Sequence, residues 1–208
     1  MDRSRLEAFS DGVFAVAITL LVLNFAIKGP QPGLELLRQL QHLWPSLIAY
    51  LVSFFLIGII WVNHHVLVKS IVKVDRTLLF LNLVLLMFVV LIPFATEIVA
   101  EYRLSGNWDG EISVALYAAV FFGMSIGFAA IFEWTLHGER VANPLPPEQH
   151  WPARIRFVIG GLVYLVAVGV ALLNAVAAFV LIAVVAVYYV FERTPSAGPA
   201  DDALPRSR

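Results

Sequence analysis

The sequence predicts an all-α integral membrane protein with six transmembrane helices, and three observations carry that prediction. First, 60% of the 208 residues are hydrophobic, 14% are charged and the mean hydropathy is +0.84, which is more apolar material than a soluble core of this size can bury. Second, the apolar residues come in runs far longer than the roughly 9 to 11 residues of a barrel strand and lack a barrel's alternation, so helices are the spanning structure left. Third, proline, glycine and charge clusters divide the runs at helix-sized intervals.

The first span is expected over about residues 5 to 27, ended by Lys28-Gly29-Pro30-Gln31-Pro32-Gly33, which removes backbone donors and adds a flexible glycine. It has the length of a signal-peptide core. However, Asp2, Glu7 and Asp11 deny its lead-in a positive bias, so it is expected to be retained. A loop to about Gln39 precedes the second span, about 43 to 68, which opens on Trp44-Pro45, a headgroup-seeking ring followed by a first-turn proline. A basic link leads to the third span, about 76 to 100, where Asn82 sits in the apolar run and Pro93 predicts a kink. The polar stretch Ser105-Gly106-Asn107-Trp108-Asp109-Gly110 forms a loop before the fourth span, about 112 to 136, whose many alanines and glycines suit close helix packing. The linker 137–152 holds four prolines and is expected to be irregular. From Phe157 to Phe191 there is no charge, and Asn174 bisects the run, so two short spans are expected, about 155 to 173 and 175 to 192. Residues 1–193 then form one membrane domain, and 194–208 a disordered tail.

Six spans bring both termini to one side. Eleven of the fourteen Lys and Arg residues fall on that side, against Lys28, Arg38 and Arg103 on the other, so the positive-inside rule places the termini in the cytoplasm. The chain has no cysteine, which excludes thiolate catalysis and thiolate metal sites, and its net charge of −1 argues against nucleic acid as a partner. It contains no Walker loop, His-Glu-x-x-His pair or Gly-x-Ser-x-Gly elbow, so no enzyme is expected and no cofactor is implied. A Thr-Val-Gly-Tyr-Gly filter is also missing.

Attention falls on the first helix. At 100° per residue, Gly12, Val16, Thr19, Leu20, Leu23 and Ile27 all lie within about 60° of Arg5. That stripe is either a packing seam or the lining of a path between copies of the helix. Ser10 and Asp11 lie about 140° and 120° to either side of Arg5, so they point sideways toward neighbouring helices or subunits. The simpler alternative is that they cap the helix. Asn63-His64-His65 at the end of the second span can titrate near neutral pH or bind metal, but adjacent histidines diverge by about 100°, which favours hydrogen bonding in the same polar layer. Glu97 with Glu101 and Glu133 with His137 have metal-pair spacing near helix ends, where solvated charge is ordinary.

The run Arg5-x-x-x-Phe9-Ser10-Asp11-Gly12 resembles the signature of the transmembrane protein 175 potassium channels in their short prokaryotic form. The similarity continues through Trp44-Pro45-Ser46, Trp61-Val62-Asn63-His64-His65, Asp75-Arg76, Asn82 and Pro93-Phe94. The resemblance implies a homotetramer in a bacterial or archaeal inner membrane, with potassium as the permeant ion and the first helices lining the pore. It implies a hydrophobic constriction at Val16, Leu20 and Leu23, with Thr19 as a polar ring. Arg5, Phe9, Ser10, Asp11, Trp61 and His64 or His65 would hold the gate region together. Val16 departs from the pattern in being shorter than the isoleucine or leucine expected at the narrowest ring. The competing expectations are a proton-coupled secondary transporter using Asp11 and the histidines, and a non-conducting membrane scaffold.

Overall fold

The computed structural model describes residues 2–25, 29, 36–102, 108–138 and 140–191. Its helices are α1 (Arg3–Leu20), continued by a 3-10 turn (Leu21–Asn24), α2 (Leu36–His42), α3 (Trp44–Lys69), α4 (Arg76–Tyr102), α5 (Trp108–Thr135), α6 (Pro147–Ala171) and α7 (Ala175–Phe191). Five of them are long and apolar enough to cross a membrane, and α7 is a shorter apolar helix.

Local chemistry sets the boundaries. Asp75 caps α4 by accepting the Leu78 amide at 2.9 Å, and Asn174 caps α7 by accepting the Ala177 amide at 2.9 Å. Acidic Asp109 and Glu111 occupy the first turn of α5, where the helix dipole favours negative charge. Four expectations need correction. The loop expected through Gly110 gives way to α5 already at Trp108, where Asp109 and Glu111 suit a helix start. The loop before the second span contains the short helix α2, because Leu36-Leu37-Arg38-Gln39-Leu40 is a run of good helix formers. The linker expected to be irregular to residue 152 turns helical at Pro147, since proline is well suited to a first helical position. The α-helical part of the first span stops at Leu20 and tightens into the 3-10 turn. Ile27 and the tail 194–208 lie outside the described residues, and α4 continues through Pro93 to Tyr102.

The centre of the bundle is the antiparallel pair α4 and α5. A Cβ built on Gly123 would stand 2.2 Å from the Phe88 ring, and one on Gly127 would stand 3.1 Å from Leu85 Cα. These two glycines, one turn apart, let the helices touch. A buried hydroxyl relay ties α3 into the pair: Ser53 Oγ lies 2.7 Å from Thr96 Oγ1 and 2.8 Å from Tyr117 Oη. The α6–α7 hairpin packs on α5, with Phe157 stacked on Phe132, Tyr164 on Phe121 and Phe179 beside Tyr117. Helix α1 lies across α3 and α4 through Leu6, Ser10, Phe14, Ala17 and Leu21, all buried.

At the end where α1 begins, which is rich in basic residues, two linkers form a small platform. The Val72 amide donates to Arg140 O at 2.9 Å and the Ala142 amide to Ser70 O at 3.0 Å. Arg140 lies over the Trp134 ring at 4.5 Å and donates to Trp134 O, while Trp134 Nε1 donates to Asp75. Arg3 fastens α1 to this platform by donating to Lys69 O at 3.0 Å.

Candidate functional site

Helix α1 has two faces with different fates. One is locked into the bundle by the five buried residues above. The other carries Arg5, Phe9, Gly12, Val16, Thr19, Leu20 and Leu23, all uncovered by the described residues of the chain. Val16 is 55% exposed, Leu20 38% and Leu23 71%, and a Cβ on Gly12 would meet nothing within 4 Å. The stripe expected from helical projection is therefore the open face, not a seam within the chain. Thr19 Oγ1 donates to Val16 O at 2.9 Å, so its hydrogen is engaged along the helix and its lone pairs are left to accept.

The locked face holds a directed chain of hydrogen bonds. Ser10 Oγ donates to Leu6 O at 2.9 Å and accepts from Asn82 Nδ2 at 3.0 Å. With the Asn82 amide nitrogen turned toward Ser10, its Oδ1 faces His64 Nε2 at 2.8 Å, which puts the imidazole proton on Nε2. Ser10, His64 and Asn82 are each at most 1% exposed. The His64 ring sits between Phe14 and Phe128, at centroid distances of 5.3 and 6.5 Å, and its Nδ1 has no hydrogen-bond partner among the described residues. One polar residue from each of α1, α3 and α4 thus fixes where the three helices meet.

Toward the surface, two further rungs join α1 to α3. Trp61 Nε1 donates to Asp11 Oδ1 at 2.8 Å. His65 Nδ1 lies 2.8 Å from Glu7 Oε1, an ion-pair distance without hydrogen-bond geometry. Glu7 and Asp11 are spaced i,i+4 on one helix and Trp61 and His65 i,i+4 on the other, so the rungs stack.

The structure resolves several alternatives left open by the sequence. Helix α1 begins at Arg3 with Asp2 as its N-cap residue, so Ser10 and Asp11 are interior residues that bond to other helices, and the capping alternative is wrong. The two histidines part: His64 goes inward to Asn82, His65 outward to Glu7. Arg5 and Phe9 stand on the open face, and the Arg5 side chain makes no hydrogen bond or ion pair among the described residues. Glu7 enters the site only with the structure, although its i,i+4 relation to Asp11 is a signal in the sequence. Asn82 stands out in the sequence as a polar residue in an apolar run, and the structure makes it the hub. Of the weak metal pairs, Glu133 is engaged by Arg154 at 2.6 and 2.7 Å. Among the described residues no three His, Asp or Glu side chains gather as for a metal.

Fold and site together define a multi-pass helical membrane protein whose first helix is bolted to the bundle by polar rungs on one face and left uncovered on the other. Comparison with known proteins agrees. The family described as "Endosomal/lysosomal potassium channel TMEM175" matches residues 5–93, the part that contains every rung. A potassium channel of Streptomyces collinus is 41% identical over 199 residues, covering 93% of this chain and 94% of that protein. The crystal structure of a lysosomal potassium-selective channel TMEM175 homolog from Chamaesiphon minutus superposes with a TM-score of 0.77 at 33% identity, covering 90% of this chain and 96% of that one. The endosomal/lysosomal proton channel TMEM175 of Gallus gallus is 30% identical over 152 residues, which cover 69% of this chain and 30% of that protein. The chain belongs to the TMEM175 family, a family of ion channels and not of enzymes.

Proposed function

We propose that this chain is one subunit of a homotetrameric, leak-like potassium channel in a bacterial or archaeal inner membrane, with both termini in the cytoplasm. The observation that carries the reading is that the open face of α1 is the aliphatic stripe of Val16, Leu20 and Leu23, in a chain whose relatives are named potassium channels. Four such faces turned to a common axis would cover one another and enclose the path. Rings of Val16, Leu20 and Leu23 would narrow it to a water-poor constriction, Gly12 would leave it wide on the cytoplasmic side, and Thr19 would offer oxygen lone pairs to a partly dehydrated ion. Potassium surrenders its hydration more readily than sodium, so such a passage favours potassium without a carbonyl filter. The rungs from Glu7, Ser10 and Asp11 would hold each α1 at the angle that points the stripe inward.

Passive flux into liposomes tests this. Purified protein should carry potassium down its gradient without saturation or a need for a proton gradient, and Val16→Ala and Leu23→Ala should raise conductance and lower potassium over sodium preference. No potassium movement, or two variants indistinguishable from the parent, would sink the reading. Proton passage is the second reading, favoured by the name of the Gallus gallus relative and by the carboxylates and His65 beside the stripe. It predicts acidification of the liposome lumen under a proton gradient with potassium absent.

A further inference from the structure

The stacked contacts between helices serve as a depth gauge. From the Phe121–Tyr164 stack, α5 continues thirteen residues to Trp108, about 20 Å, whereas α6 continues only seven to Ala171, about 10 Å. From the Tyr117–Phe179 contact, α5 continues nine residues to Trp108, about 14 Å, and α7 only four to Ala175, about 6 Å. The two gauges put the helix ends that flank the α6–α7 turn about 8 to 9 Å deeper in the bundle than the tryptophan that opens α5. The turn itself carries no charge. Leu173 is 84% exposed and Leu172 43%, the Asn174 side-chain oxygen accepts from the Ala177 amide, and no charge occurs anywhere from Phe157 to Phe191.

The same gauge applied to α4 gives a contrast. From the Phe88 ring packed on Gly123, α4 reaches Glu97 after nine residues, about 14 Å, while α5 reaches Trp108 after fifteen, about 22 Å. Glu97 is therefore also about 9 Å deeper than Trp108, level with the hairpin turn, and it is exposed. It stands on a different flank, since α4 packs against α5, α3 and α1 whereas the hairpin packs on α5 and α3. At one depth, then, one flank shows an exposed carboxylate and the other two bare leucines. A single flat boundary between water and hydrocarbon fits one of these but not both: an exposed carboxylate demands water, and exposed leucines in a charge-free hairpin demand lipid.

We infer that the two flanks see different media at this level. Lipid chains close over the α6–α7 turn, so the leaflet on that side dips by about 8 to 9 Å where it meets the hairpin, while a water-filled recess descends along α4 as far as Glu97. The occupant of the hairpin end is thus the acyl region of the bilayer, not water and not a soluble partner. This stands independently of what the protein conducts.

The absence of cysteine makes a clean test possible. Leu172→Cys, Leu173→Cys and Glu97→Cys are made singly in the full chain, and reaction with a membrane-impermeant maleimide is timed in unsealed membrane fragments, where both sides are reached. The expected result is rapid labelling at 97, labelling at least tenfold slower at 172 and 173, and equal labelling of all three after denaturation in dodecyl sulfate. A nitroxide attached at 173 should collide more often with oxygen than with a water-soluble nickel chelate. Labelling at 172 and 173 as fast as at 97, or dominance of the nickel chelate, overturns the lipid-covered turn. A thiol at 97 that stays unreactive until denaturation overturns the recess.

Discussion

Asn82 of α4 joins buried polar groups of α1 and α3. Its amide donates to Ser10 and accepts from His64, so it satisfies two groups that have no route to water. Asn82→Leu keeps the volume and strands both, and the expected cost is about 1 to 2 kcal/mol, read as a lower unfolding temperature of the detergent-solubilised protein. Asp11→Asn should leave that temperature nearly unchanged, because an amide oxygen still accepts from Trp61 Nε1. An Asp11→Asn loss as large as that of Asn82→Leu would show that charge, not hydrogen bonding, secures the outer rung. Much of this site is legible in the sequence: Ser10, Asp11, Trp61 and the histidines are polar residues where polarity is expensive. Their pairing is not, because the partners are 18 to 72 residues apart and no local pattern encodes which helix faces which.

At the scale of elements, the aliphatic stripe on α1 is legible from periodicity, because burial on one side and exposure on the other repeat every turn, but periodicity does not say what the stripe faces. The apolar runs and the Asn174 break likewise announced the spans and the short terminal hairpin. Helix starts were less legible. Hydropathy marks where a helix enters apolar surroundings, whereas Pro147 and Trp108 begin helices in polar sequence. The contact between α4 and α5 was visible only as a wealth of small residues, and the structure picks Gly123 and Gly127 from among them. Gly127→Leu should force the helices apart at Leu85, whose backbone cannot yield, and abolish the monodisperse peak in size-exclusion chromatography. Gly12→Ala, with open space around it, should elute as the parent does.

For the whole molecule, a single chain leaves one helix face without a partner along most of its length. In a bilayer that face could meet lipid, and only the assembly decides. A native mass of the solubilised complex equal to four chains of 23.0 kDa is the expected outcome, and a monomer or dimer would leave the four-helix path unbuilt.

The central claim is that ions pass along the open face of α1, and block of single-channel current through an introduced thiol tests it most directly. Silver ion, close to potassium in size, should leave the cysteine-free parent conducting and abolish the current of Leu20→Cys. It should not affect Leu162→Cys, which is exposed on α6 of the hairpin. A Leu20→Cys channel that conducts unchanged in silver would contradict the account and place the path elsewhere.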